Sequence, residues 1–400
     1  MYRASTEGRN TQSVGLVIDR SDTAPETRSA KLIPNTFQNV RATPAISSSR
    51  NPVIDIARGL LILLMSNTHA LTLTGINDKH FFYSDLWLPN GWATITFILL
   101  SGFSVAFLEG NGKADSMSQR RLYRRALNLI MIMICTNLLF STMRYVLSGQ
   151  SAGTALGGAT ADFFAPEEWT ISAILLPTAI MLCVASYFID KIRTHALLAF
   201  AGVLSAQFLC RILTEGSRSG EYSALFDLMF ISGLGGFPIV PLLLNGLLGL
   251  TLGIVFSTDP ALFKRLLCYG LLIQFTLFVA SSEFMMSSSN PLIAAVHRSI
   301  GSLGFFSCIY LGAMALSKKM DSKAQGFFLT IGKYALMAFI LHRVLLQGLS
   351  FTFDRLGIGA MGLEAAYALL LTSTMLGVWG VCVARDRFKF VDLKFRKLAM

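Results

Sequence analysis

The chain has 400 residues, of which 53% are hydrophobic and only 14% charged, and its mean hydropathy is +0.56. This balance excludes an ordinary soluble domain and fits a polypeptide that crosses a bilayer several times. The net charge of +11 does not indicate a nucleic-acid binder, because Lys and Arg are dispersed between apolar runs instead of gathered on a polar domain.

Residues 1–50 carry Ser, Thr, Arg, Asn and Pro without an apolar stretch, which predicts a disordered cytoplasmic extension with no secretory signal. Apolar runs of membrane-spanning length then predict ten helices, at 53–74, 91–108, 126–148, 169–189, 196–214, 233–256, 265–284, 297–317, 326–351 and 361–385. The fold class is therefore all-α, a polytopic membrane domain over 51–385 followed by a basic tail at 386–400. Basic residues gather in alternate connections: Lys113 with Arg120, Arg121, Arg124 and Arg125, then Lys191 and Arg193, Lys264 and Arg265, and Lys318, Lys319 and Lys323. Cytoplasmic loops retain positive charge, so both termini are expected in the cytoplasm.

The first run, "IDIARGLLILLMSNTHALTL", holds Arg58 and His69. A charged group at a helix centre costs about 2.5 kcal/mol or more in hydrocarbon, so such residues are kept where they face protein or a wet cavity. Eleven residues bring His69 back to the Arg58 face after three turns, roughly 16 Å further along. A histidine there is able to take a proton from an attacking hydroxyl, or to hydrogen-bond a neighbouring helix. Arg58 suits a phosphate or thioester carbonyl, or an ion pair with Asp55.

Further along, Ser101 and Gly102 lie near mid-span, where small residues let helices approach or line a passage. The arginines at 120, 121, 124 and 125 satisfy the positive-inside rule and also suit the phosphates of coenzyme A. Pro238 and Pro241 predict a kink inside the run at 233–256. His342 and Arg343 are ionisable groups within a span and so are functional candidates. The six cysteines fall in predicted helices without CxxC spacing, which suggests packing and neither a disulfide nor a metal site.

Four stretches in order resemble the acyltransferase-three family of integral membrane acyltransferases. They are the Arg58 to His69 spacing after "DIARGL", then "ITFILLSGFSVAF" followed by "RRLYRRAL", then "GGFPIVPLLLNGLLGLTLG", and finally "IGKYALMAFILH" ending at His342. The last departs from the usual pattern, with Tyr334 and Ala335 where a serine commonly flanks the aromatic. The resemblance implies transfer of an acyl group, with acetyl expected, from cytoplasmic acyl-CoA to a glycan hydroxyl. Acyl-CoA is a donor substrate there, and no cofactor is permanently bound. It implies catalytic roles for His69, Arg58 and His342. Donor contacts are implied at Arg58, Arg120, Arg121, Arg124, Arg125, Ser101, Gly102 and Lys333. The expected partners are acyl-CoA, a glycan or lipid-linked oligosaccharide, and the lipid bilayer of a bacterial inner membrane, with a homo-oligomer left open. Outer-loop residues such as "TALGGATADFFAPEEW" are expected to shape the acceptor site. Other readings of the same residues are a secondary transporter or glycan flippase, an amino-sugar N-acetyltransferase, and a glucan succinyltransferase.

Overall fold

The computed structural model describes residues 51–76, 91–108, 116–165, 168–169, 174–216, 223–231, 233, 236–280, 291–319, 322–358 and 362–388. The predicted N-terminal extension and nearly all of the basic tail lie outside these residues. Twelve helices carry the fold: α1 (Pro52–Leu73), α2 (Trp92–Leu108), α3 (Ser116–Leu147), α4 (Ala152–Phe163), α5 (Leu175–Thr194), α6 (Ala196–Gly216), α7 (Ile239–Thr258), α8 (Pro260–Ala280), α9 (Pro291–Lys319), α10 (Ser322–Lys333), α11 (Ala335–Arg355) and α12 (Leu363–Arg387). A short helical turn, Ala224–Phe226, runs into a π-helical turn, Asp227–Ile231, and there is no β-strand among the described residues.

Local sequence sets the start of α1. Asn51 accepts the Val53 N–H at 3.0 Å and Pro52 occupies the first turn, where its missing donor costs nothing. The helix ends at Leu73, and Gly75, with a φ of +77°, closes the turn that follows. α1 then packs against α2, α9, α10, α11 and α12, and α7 against α2, α5, α6 and α8.

Glycines bring the two most closely packed pairs together. Along α2 and α7, a Cβ on Gly102 would strike the Gly246 carbonyl, one on Gly249 the Leu99 carbonyl, and one on Gly253 would lie 2.6 Å from the Phe103 carbonyl oxygen. Between α1 and α10, a Cβ on Gly59 would lie 2.5 Å from the Phe328 carbonyl oxygen, and one on Gly332 would strike the Asp55 carbonyl. Hydrocarbon gives helices no hydrophobic reason to associate, so close backbone contact supplies dispersion instead. Phe103 sits at the centre of an aromatic cluster with Phe256, Phe263, Phe306 and Tyr310, at ring separations of 5.6 to 5.7 Å, which ties α2 to α7, α8 and α9.

These contacts fix the relative sense of the helices. Gly246, Gly249 and Gly253 meet Ile98, Leu99 and Phe103 in turn, so α2 and α7 run the same way. Gly270 meets Ser307 while Gly304 meets Gln274, so α8 and α9 run oppositely. α12 opposes α1, with Tyr367 against Asn67 at one end and, at the other, Asp386 against Lys333, whose neighbour Gly332 abuts Asp55 of α1. An alternating ten-pass chain requires these senses. Among the described residues eight helices are long and apolar enough to cross a membrane, and α2 is a shorter apolar helix. The chain is a multi-pass, all-α membrane protein. A reporter enzyme fused after residue 115 or 320 should read as cytoplasmic and one after 155 as external. An external signal at 115 overturns the orientation drawn from the basic loops.

Two sequence expectations are corrected. Pro238 and Pro241 do not kink α7: Pro238 is its N-cap residue and Pro241 lies in its first turn, where a missing N–H has no partner to lose. The run at 326–351 is not one helix. It breaks at Tyr334 (φ −113°, ψ 36°) into α10, which crosses α1, and α11, which makes the pass. The side chains of Lys333 and Tyr334 both reach Asp386, whereas successive residues of a continuous helix point about 100° apart.

Candidate active site

α1 and α11 advance together from the level of Asp55 and Gly332, and His69, in the outer half of α1, stands beside His342 in the first half of α11. The two imidazoles stack with centroids 5.8 Å apart and planes inclined by 20°. His69 is half-buried and His342 is fully buried. The Nδ1 of His342 lies 3.3 Å from the Ala338 carbonyl oxygen, and a carbonyl only accepts, so Nδ1 carries the proton. The same ring's Nε2 is buried without a hydrogen-bond partner among the described residues. Phe339 tilts against His342 and stacks on Phe97 of α2, closing one side of the pair. Arg343 lies within electrostatic range of both rings. The tyrosine hydroxyl of Tyr367 on α12 donates to Asn67, two residues before His69.

At the other end of α1, Arg58 Nη1 lies 3.4 Å from Asp55 Oδ1, the i, i+3 pair the spacing suggested. Asp55 is buried and the Arg58 side chain is 22% exposed. Ser101 donates to its own helix, at 2.8 Å from the Phe97 carbonyl oxygen, and Gly102 lies in the α2–α7 seam. Arg120, Arg121 and Arg124 are exposed on the first turns of α3, and Arg125 is half-buried. α3 packs on α4 and α5, so the structure does not bring these arginines onto α1. Lys333 pairs with Asp386 at 2.5 Å.

Sequence reasoning missed three polar groupings. In the first, Gln207 Nε2 donates to Asn245 Oδ1 at 2.8 Å and to Ser302 Oγ at 3.4 Å, linking α6, α7 and α9 in the buried interior. The second lies at the C-terminal end of α3, where Arg144 grips Asp162 of α4 at 2.8 Å and Glu168 at 2.9 Å. Tyr145 and Ser141 also donate to Asp162. Burial alone would push the Asp162 carboxyl up, but hydrogen bonds from Ser141, Tyr145 and Arg144 outweigh it and hold the group below the usual carboxylate range. The third is the set around Asp386. The stretch expected as an acceptor loop, 154–169, is helical as far as Phe163, within α4, and its residues 166–167 lie outside the described residues. Each grouping joins side chains far apart in sequence, and no local spacing announces it.

No curated relative and no solved structure matches the chain. A family profile described as an acyltransferase domain does match, over residues 51–384, a span that contains the histidine pair, Arg58 and the α2–α7 seam. A membrane-embedded helical bundle with apposed histidines and a family match across most of its length has one reading, and the chain belongs to the acyltransferase-three family.

Proposed function

We propose that this membrane acyltransferase takes an acetyl group from acetyl-coenzyme A on the cytoplasmic face of a bacterial inner membrane and passes it to a hydroxyl of a cell-surface or exopolysaccharide glycan. The observation that carries the reading is the pairing of His69 with His342 inside the bundle, at the far end of α1 from Arg58. His69 removes the proton as the acceptor hydroxyl attacks the thioester carbonyl. The new C–O bond forms, the C–S bond breaks, and the departing thiolate recovers the proton from the imidazolium. His342 has its Nδ1 proton held by the Ala338 carbonyl, so its Nε2 lone pair is directed away from that bond. Arg58 suits a donor phosphate, and its distance from His69, roughly 16 Å along the helix, matches donor phosphates held inward and proton chemistry held outward. The exposed arginines of α3 draw the donor's phosphates to that face.

The test uses purified protein in nanodiscs with labelled acetyl-coenzyme A. Release of coenzyme A that rises when a polysaccharide acceptor is added is expected, and no release from any acyl-CoA overturns the proposal. Changing Arg120, Arg121, Arg124 and Arg125 together to alanine should raise the donor KM by about tenfold, less at high salt, with kcat little changed. Because these charges also orient α3, insertion is checked by a reporter fused after residue 155.

A further inference from the structure

At the end of the bundle that carries the basic loops, one carboxylate collects two hydrogen-bond donors and lies beside a buried guanidinium. Asp386, in the last turn of α12, accepts from Lys333 Nζ at 2.5 Å and from the Tyr334 hydroxyl at the same oxygen. The Arg385 guanidinium lies 4.4 Å over the Tyr334 ring and lends its charge to the same group. Arg385 is only 7% exposed, whereas the side chains of Lys333 and Asp386 are 38% and 36% exposed. The carboxylate is thus reachable from solvent, with its cationic floor fixed beneath it. Tyr334 is also the N-cap residue of α11 and makes no side-chain cap hydrogen bond, so the positive end of a 21-residue helix begins beside the cluster. An ammonium, a phenol, a guanidinium and a helix N-terminus all favour an oxyanion, and a phosphate would satisfy them with more oxygens and more charge than a carboxylate.

We propose that this is a binding site for a phosphate or diphosphate group and that Asp386 is its built-in occupant, displaced when the ligand arrives. Gly332, one residue before Lys333, abuts the Asp55 backbone, so the site adjoins the Asp55–Arg58 pair at the start of α1. Identifying the ligand as the diphosphate of the acyl-CoA donor rests on the function proposed above, and an anionic phospholipid headgroup presents the same chemistry. A tethered competitor acts at an effective concentration in the millimolar range, so removing its charge should strengthen binding of a free anion.

The experiment titrates the full chain, in nanodiscs of neutral phosphatidylcholine, with inorganic pyrophosphate and separately with coenzyme A. Asp386→Asn should bind pyrophosphate about tenfold tighter than wild type, and adding Lys333→Gln with Arg385→Gln should remove the binding. Asp190→Asn, which breaks the exposed Asp190–Arg193 pair and changes the net charge equally, should leave affinity unaltered. Unchanged or weaker binding to Asp386→Asn, or equal tightening by Asp190→Asn, overturns the proposal. If Asp386→Asn does not fold, the wild type decides, because Lys333→Gln should abolish its weaker pyrophosphate binding and retained binding refutes the site. Coenzyme A binding that needs Lys333 and Arg385 assigns the ligand to the donor. Competition by phosphatidylglycerol nanodiscs, without any coenzyme A dependence, assigns it to a lipid headgroup. Pyrophosphate binding is read without turnover, so failure of the acetyl-transfer proposal leaves this result standing.

Discussion

Replacing His69 with alanine should abolish acyl transfer, a loss of about 10² to 10⁴ in rate, while the protein still inserts and folds. The ring is half-buried against His342, so truncation removes one face of a stack and little core packing. His69→Gln separates the two roles a histidine here can have. Glutamine still hydrogen-bonds, at a cost of about 1 kcal/mol if bridging were the role, but it takes no proton near neutral pH. Transfer by His69→Gln protein at close to the wild-type rate, measured with labelled acetyl-coenzyme A, would sink the catalytic reading of α1. His342→Gln should reduce the rate as well, because it removes the imidazole that stacks on His69.

The other large effect is on assembly. Gly249→Ala places a methyl group into the Leu99 carbonyl, a backbone atom that cannot swing aside, so α2 and α7 must separate along the seam. Overpacking of this kind costs about 1 to 3 kcal/mol where a side chain yields, and more where backbone must move. A fall of many degrees in the detergent melting temperature is expected. Gly312→Ala in α9 is the control, since nothing lies within 4 Å of its added Cβ, and it should be neutral or slightly stabilising. Equal melting temperatures for the two variants would show that the seam does not hold the helices together.

Much of the bundle was legible because bilayer thickness dictates helix length, and all ten apolar runs correspond to helices, five of them with ends shifted by four or more residues and one broken. Arg58 with Asp55 was legible because an i, i+3 pair is local. The prolines misled because their effect depends on position: inside a span they kink, whereas at the first turn they merely begin it. Tyr334 gave no warning of its break, since its partner Asp386 lies on a different helix. His69 and His342 each stood out as polar residues in apolar surroundings, but which helix faces which is decided by glycine seams and ring packing summed over the whole bundle. Gln207 and Asn245 went unnoticed because a lone amide carries no charge to draw the eye.

That amide pair has a mechanical consequence. In hydrocarbon no water stands ready to replace a broken hydrogen bond, although each such bond across helices contributes only about 0.6 kcal/mol on average. Sliding α6 by one residue moves Gln207 roughly 1.5 Å along and 100° around its axis, away from both Asn245 and Ser302. The contact therefore works like a detent, clicking α6, α7 and α9 into one depth and one rotation.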